Sequence, residues 1–208
     1  MVSTLAEAVK HRRPGGRTAD VSRRVHEAVL DLLVEVGVEA CTFAAVAERA
    51  QVERSTLYRR YEDRWMMIID AIEEAAADHV SHSAGSFAAD LKAVLMRGAA
   101  TMGGPLGPVI LALSAALRGT PREFHIERYW ASRMEQLAPM FDAAIARGEL
   151  RKDVDREELF AFAMGTIHMR NFVAAKPVDE RWVDRIVEFV CDRYCTKPRR
   201  RSPASVAG

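Results

Sequence analysis

The sequence predicts an all-α fold of about nine helices, and three observations carry that expectation. Pro and Gly are sparse, at 8 and 12 of 208 residues. Apolar side chains recur at helical spacing in segment after segment, without the Val/Ile/Thr alternation of strands. The balance of 49% apolar and 28% charged residues is that of a folded globular chain, which excludes disorder and collagen-like repeats. The length allows one or two domains.

The first helix is expected from about Ala19 to Val36, with Thr18 as its cap. Val21, Val25, Val29, Leu32, Leu33 and Val36 share one face, and Gly37 ends the helix. Thr42 then caps a short helix, FAAVAERA, with Phe43, Val46, Ala47 and Ala50 on one side. A break of three residues, Gln51 to Glu53, leads to a second short helix, RSTLYRRY. Here Leu57 and Tyr61 point inward, while Thr56, Tyr58, Arg59 and Arg60 stay largely outside. Asp63 caps the next helix, whose Trp65, Ile68, Ile69 and Ile72 repeat at helical spacing toward His82, before Gly85 interrupts.

Five more helices are expected, at about 87–102, 109–118, 121–147, 156–175 and 180–194. Thr120, Pro121 and Glu123 form one capping box, and Asp155 with Glu158 forms another. The segment Gly98 to Leu117 holds no charge over 20 positions, yet its central Gly and Pro residues break a continuous span, so a buried core helix is expected rather than a membrane segment. The amino terminus lacks an apolar signal-peptide core, and three Cys make no disulfide framework, so a cytoplasmic location follows.

The net charge of +1 conceals a polarity. Residues 1–64 carry +1, 65–192 carry −5 and 193–208 carry +5. Within the first part, Lys10, Arg12, Arg13, Arg17, Arg23 and Arg24 cluster against Asp20 alone. Such a stripe attracts phosphate by counterion release. The end of the chain, TKPRRRSPASVAG, is polar and aperiodic and reads as a disordered basic tail.

Two short helices joined by a tight turn, apolar inside and Thr/Tyr/Arg outside, satisfy the requirements of a helix-turn-helix. Arg bonds guanine edges in pairs, Thr reaches a thymine methyl or a phosphate, and Tyr hydroxyl bonds phosphate. The string CTFAAVAERAQVERSTLYRRYEDR resembles the DNA-binding signature of the TetR-type bacterial transcriptional regulators, over about residues 18–72. The segment ARGELRKDVDREELFAFAMGTIHMRNF resembles that family's weaker carboxy-terminal pattern.

The resemblance implies a three-helix DNA-binding domain followed by a larger helical ligand-binding and dimerisation domain. The chain then divides into a basic arm (1–17), a helix-turn-helix domain (18–64), a ligand-binding and dimerisation domain (65–195) and a tail (196–208). It further implies that Arg54, Ser55, Thr56, Tyr58, Arg59 and Arg60 lie where the recognition helix meets DNA, that Thr42 and Arg64 lie at helix starts near phosphate, and that Arg17 belongs to the arm. Two departures stand out. Gln51 occupies a turn position where the family usually has Gly, a left-handed conformation that Gln adopts at modest cost, and Glu53 replaces the usual Ser or Thr, placing a carboxylate near DNA. Glu62 also stands where Pro is common in the family.

Helical regulator domains enclose mostly apolar pockets. The residues expected to line one are Met102, Phe124, Trp130, Met134, Phe141, Met164, His168 and Phe172, with Phe160, Met164, His168 and Phe172 at four-residue spacing on one face. Their Met-rich, aromatic character suits a small hydrophobic ligand. One recognition helix reads too few bases for a unique address, so a homodimer on a palindromic operator is expected. The family dimerises through its last two helices, which here offer Leu159, Phe162, Ala163, Ile167, Trp182, Ile186, Phe189 and Val190.

His79 and His82 beside Asp78, and Cys191 with Cys195, lack the further ligands of a structural metal site, so no metal and no cofactor are expected. The absence of a phosphate-binding glycine motif, GxSxG and HExxH argues against an enzyme. The expected function is a ligand-responsive transcriptional repressor acting on double-stranded DNA. The alternative on the same scaffold is a DNA-bound structural or cell-division factor without an inducer.

Overall fold

The computed structural model describes residues 17–77 and 85–196, with the side chains of residues 17, 76 and 77 left aside. The described residues form nine α-helices and no named strand. The chain separates into two compact units, divided between Ala71 and Ile72, further along the fourth helix than the boundary expected at residue 64.

The first unit holds α1 (Arg17–Glu35), α2 (Phe43–Ala50), α3 (Arg54–Arg60) and the first half of α4 (Arg64–Ala77). Thr18 lies inside α1 rather than capping it, its carbonyl accepting from the Ser22 hydroxyl at 3.0 Å. The apolar face of α1 is buried at Val25, Ala28, Val29, Leu32 and Leu33, while Val36 stays exposed beyond the helix end. Thr42 caps α2 as expected, its hydroxyl accepting from the Ala45 amide at 3.2 Å. Cys41, just before, is fully buried, and burial pushes its thiol up to about 11.

Gln51 takes the left-handed conformation that the sequence reading assigned to it, with φ 53° and ψ 50°. The Val52 amide donates to Ala47 and the Gln51 amide to Glu48, a Schellman pair that reverses the chain between α2 and α3. Asp63 caps α4 by accepting from the Met66 amide at 2.8 Å.

The second unit is built around α5 (Phe87–Gly103), α7 (Phe124–Ala146), α8 (Arg156–His168) and α9 (Glu180–Tyr194), with α6 (Leu106–Leu117) beside α5 and α7. Phe87, Leu91, Leu95, Leu137, Phe141, Leu159, Ile167, Val183 and Val190 form its buried core. Ser86, Asp155 and Asp179 cap α5, α8 and α9 through side-chain oxygens.

In the second unit three boundaries differ from the sequence reading by more than one residue. α6 starts at Leu106 rather than 109, because Pro108 sits in the first helical turn, where its missing N–H costs nothing. Gly107 is required there, since a Cβ would lie 2.0 Å from the Met102 carbonyl oxygen. α7 starts at Phe124 rather than 121: Glu123 turns back to the Gly119 amide at 3.0 Å, and residues 120–123 form a separate turn. α8 ends at His168 and continues as a single π-helical turn, Met169–Val173, instead of running on to 175.

No single helix among the described residues is long and apolar enough to cross a membrane, and the charge-free stretch is split between α5 and α6 at 83°. α6 is not the buried core helix that was expected: it buries Gly107, Leu113 and Leu117 and leaves Leu111 exposed. The extension of α4 toward His82, with Asp78 and His79, lies outside the described residues, as do residues 1–16 of the arm and 197–208 of the tail.

A polar network closes the first unit. The Tyr61 hydroxyl donates to Asp70 Oδ2 at 2.8 Å, and His26 Nε2 lies 3.0 Å from the same oxygen and 3.3 Å from the hydroxyl. His26 in particular holds the Asp70 carboxyl below its ordinary range, with Tyr61 adding to the effect. A carboxylate depressed in this way contributes stability that is present above its unfolded pKa, near 3.9, and lost as pH falls through the folded value. Replacing Asp70 by Asn is therefore expected to cost about 1–3 kcal/mol at neutral pH and to lower Tm by roughly 2–4 °C per kcal/mol. Thermal melts between pH 7 and pH 3 check this, with the variant losing less than the parent on acidification.

Candidate functional site

α3 has only 7 residues, too short to be stable alone, and its conformation depends on what it buries. Leu57 is fully buried and Tyr61, its C-terminal neighbour, nearly so. With that side fixed, Arg54, Ser55, Tyr58 and Arg59 face solvent, Tyr58 at 65% exposure, and Thr56 is half-buried. The Tyr58 ring stands edge-on to Phe43 at 4.7 Å between centroids, so its position is set by α2.

The predicted interface residues thus fall into two groups. Arg54, Ser55, Tyr58 and Arg59 share the exposed surface of α3, and Thr42 is exposed at the start of α2 with its hydroxyl engaged as a cap. Arg60 is exposed but engaged within the unit: it donates to the Ser22 hydroxyl, approaches Asp70 at 3.5 Å and lies over the Tyr61 ring. Arg64 is also occupied, donating to the Glu39 carbonyl and carboxylate at 3.0 Å each and stacking over Trp65 at 4.3 Å. Arg17 lies in the first turn of α1, and its side chain is outside the described set.

Glu53 stands at the N-cap of α3 but makes no side-chain cap bond, so the first turn lacks the bond a Ser or Thr would supply. Arg49, at the end of α2, pairs with Glu35 at 2.6 Å. The outward face of α3 therefore carries Arg54 and Arg59 as its cations, with Ser55 and Tyr58 hydroxyls between them.

The second unit contains a cavity of about 260 Å³ between α5, α6, α7 and α8. Of the eight residues expected to line it, Met102, Trp130, Met164 and His168 do so. Four do not. Phe141 packs in the core against Phe87, Met134 lies against the same core, Phe124 is exposed over His125, and Phe172 sits in the π-helical turn beside the His168 ring.

The remaining walls come from Arg97, Gly98, Thr101, Ile110, Ser114, Ile126, Tyr129, Arg133 and Phe160. Burial holds the Arg133 guanidinium below its ordinary pKa, and Arg97 opposes its charge further. Burial lowers the His168 imidazole and raises the Tyr129 phenol, so both are neutral near pH 7. The sequence reading marked Met102, Trp130, Met164 and His168 of this wall and missed both apolar members such as Ile110 and Ile126 and the polar Arg97, Tyr129 and Arg133, since an Arg or Tyr on a helix face reads as solvated.

The residues expected at a partner interface also separate. Leu159, Ala163, Ile167, Ile186 and Val190 are buried within the chain's own core, because α8 and α9 turn these positions toward α5 and each other. Phe162 at 54% and Phe189 at 62% exposure lie outside, with Trp182 half-buried. The surface open to a partner is therefore the pair of shallow grooves formed by Phe162, Gly165, Thr166, Met169, Trp182, Arg185 and Phe189.

A short, seated helix with an outward cationic face, following a tight turn and a capped partner helix, defines a helix-turn-helix DNA-binding protein. The family model for bacterial regulatory proteins of the tetR family matches residues 27–64, and that for the tetracyclin repressor-like C-terminal domain matches residues 82–190. The chain belongs to the TetR family of transcriptional regulators.

Relatives agree over most of the length. The uncharacterized HTH-type transcriptional regulator YdeS of Bacillus subtilis is 28% identical over 181 residues, covering 86% of this chain and 90% of its own. The HTH-type transcriptional regulator AqdR of Rhodococcus erythropolis is 25% identical over 156 residues, covering 74% and 75%. Among solved structures, TetR family transcription regulator SCO0332 superposes with a TM-score of 0.71 at 27% identity, over 83% of this chain and 97% of that one. A TetR regulator from Agrobacterium tumefaciens shares the fold, with a TM-score of 0.66 at 20% identity over 85% and 95%.

Arg59 and Leu57 separate reading from folding. Arg59→Ala is expected to leave Tm unchanged and to cost about 1–3 kcal/mol in preference at defined base positions. Leu57→Ala is expected to cost about 2–5 kcal/mol of stability. Competition binding across operator variants, with thermal melts alongside, checks both, and equal loss on every sequence for Arg59→Ala would make it a phosphate contact.

Proposed function

We propose that this regulator is a homodimeric repressor that binds a palindromic operator through α3 of each subunit and leaves it when a small, largely apolar ligand enters the cavity of the second unit. The observation that carries this reading is the partition of α3: Leu57 buried, and Arg54, Ser55, Tyr58 and Arg59 outward. Arg59 and Arg54 are assigned to base edges or phosphates, Ser55 and Tyr58 to phosphate oxygens, and Arg17 with the preceding basic arm to the neighbouring backbone. Arg60 and Arg64, already bonded within the chain, hold the end of α3 and the start of α4 rather than read bases.

Exposed Phe162, Met169 and Phe189 on α8, its π-helical turn and α9 support a four-helix contact with a second copy. Symmetry then places two recognition helices on half-sites about one helical turn apart, roughly 34 Å. The ligand must bind the DNA-incompetent arrangement more tightly, and operator DNA must weaken ligand binding by the same factor. The protein acts on chromosomal DNA in the cytoplasm. The cavity favours this reading over a structural DNA-bound factor, which has no use for it.

Selection of bound duplexes from a random pool, at near-physiological salt, tests the proposal. An enriched palindrome is the expected result. Enrichment of a lone half-site, or of nothing, would contradict it.

A further inference from the structure

α9 ends on a pair of thiols that neither the DNA-binding face nor the cavity uses. Cys191 lies in the last turn and Cys195 is the C-cap, four residues on and so on the same face, with the Cys195 amide donating to the Cys191 carbonyl at 3.0 Å. Both thiols are free and half-buried, so a small reagent in solvent can reach them. Cys41 differs, being fully buried and held protonated by that burial.

The two sulfurs are also unequal. The Cys195 thiol donates to Cys191, and this bond holds Cys191 below the ordinary thiol range against burial and the charges of Asp192 and Glu149. The same bond, together with burial, pushes Cys195 up. Cys191 is thus the sulfur that loses its proton first, and Cys195 the one that keeps it.

We infer that Cys191 and Cys195 form a reversible oxidation site, in which Cys191 is the nucleophile toward a small hydroperoxide and Cys195 resolves the product to a disulfide. In the first step the Cys191 thiolate attacks a peroxide oxygen. An S–O bond forms, the O–O bond breaks, and the leaving alkoxide takes up the proton that Cys191 had released, so that sulfur is oxidised to a sulfenic acid and the peroxide is reduced to an alcohol. In the second step the Cys195 sulfur attacks the Cys191 sulfur. An S–S bond forms, the S–O bond breaks, and the departing hydroxide leaves as water with the Cys195 proton. Exchange with two equivalents of a small thiol returns both sulfurs to the reduced state.

The end of the helix supplies the movement that this closure needs. Cβ atoms four residues apart on a helix stand about 5–6 Å from each other and a disulfide requires about 3.5–4.5 Å, so one residue must shift by roughly 1–2 Å. Cys191 is held inside α9, whereas Cys195 has already left the helical conformation, with φ −78° and ψ 153°. A short pairing with the segment between α7 and α8 opposes its shift: Cys195 bridges to Leu150, the Thr196 amide donates to the Glu149 carbonyl at 2.8 Å, and the Thr196 hydroxyl donates to the Gly148 carbonyl. Closing the disulfide therefore strains the pairing that fastens the end of α9.

Treating the reduced full chain with cumene hydroperoxide, then blocking free thiols and digesting with trypsin, tests the inference. Cleavage after Arg193 separates the two cysteines, so their disulfide is expected as residues 186–193 joined to 194–199 and released by dithiothreitol, with Cys41 still reduced. In untreated protein at neutral pH, iodoacetamide is expected to label Cys191 at least roughly tenfold faster than Cys41. Both readouts use the parent chain. Two variants, each verified as folded by its thermal melt, assign the order of the steps: Cys195→Ser is expected to accumulate a sulfenic acid at Cys191 that dimedone traps, and Cys191→Ser to leave Cys195 unmodified. No joined peptide, a disulfide through Cys41 or between two chains, equal labelling of Cys191 and Cys41, or dimedone capture at Cys195 in Cys191→Ser would overturn the inference.

Discussion

The burial of Leu57 and Tyr61 is the constraint on which the DNA-binding unit depends. A helix of 7 residues has too few internal hydrogen bonds to repay its own nucleation, so α3 exists because its Leu57 and its C-cap Tyr61 are held by the unit beneath it. Tyr61 does this twice over, through its ring and through the bond its hydroxyl donates to Asp70. Asp70 in turn lies beside His26 and Arg60, so a single carboxylate ties α1, the end of α3 and α4 together. The outward residues are then presented in a fixed order, and none of them has to fold the helix that carries them.

Much of this arrangement was legible in the sequence. α2 and the Asp63 cap follow from local rules of capping, which operate within four or five residues, and the left-handed Gln51 follows from the resemblance to a family that usually has Gly at that turn. The inward and outward faces of α3 follow from spacing alone. What spacing could not show was where an outward arginine goes next. Arg60 and Arg64 look like Arg59 in the sequence, yet Ser22, Asp70 and Glu39 draw them back onto the protein across separations of 10 to 38 residues.

The second unit was less legible, for a related physical reason. Periodicity identifies an apolar face but not what covers it. On α8 the positions 159, 163 and 167 are covered by the chain's own helices, and only Phe162 and its neighbours remain for a partner. Around the cavity the same ambiguity ran the other way, because Phe141 and Met134 look like ligand contacts and are core, while Arg97, Tyr129 and Arg133 look solvated and line the space. The π-helical turn after His168 escaped notice because its sequence, MRNFV, carries neither Gly nor Pro to mark it.

In the proposed complex, α3 meets DNA as a preformed, seated helix. Titrating isotope-labelled protein with an operator duplex, while following backbone amides and side-chain signals by NMR, tests this directly. Large shifts are expected at Arg54, Ser55, Tyr58 and Arg59, with the Leu57 methyls and the Tyr61 ring holding their contacts throughout. Shifts concentrated away from α3, or loss of the Leu57 and Tyr61 contacts on binding, would contradict it.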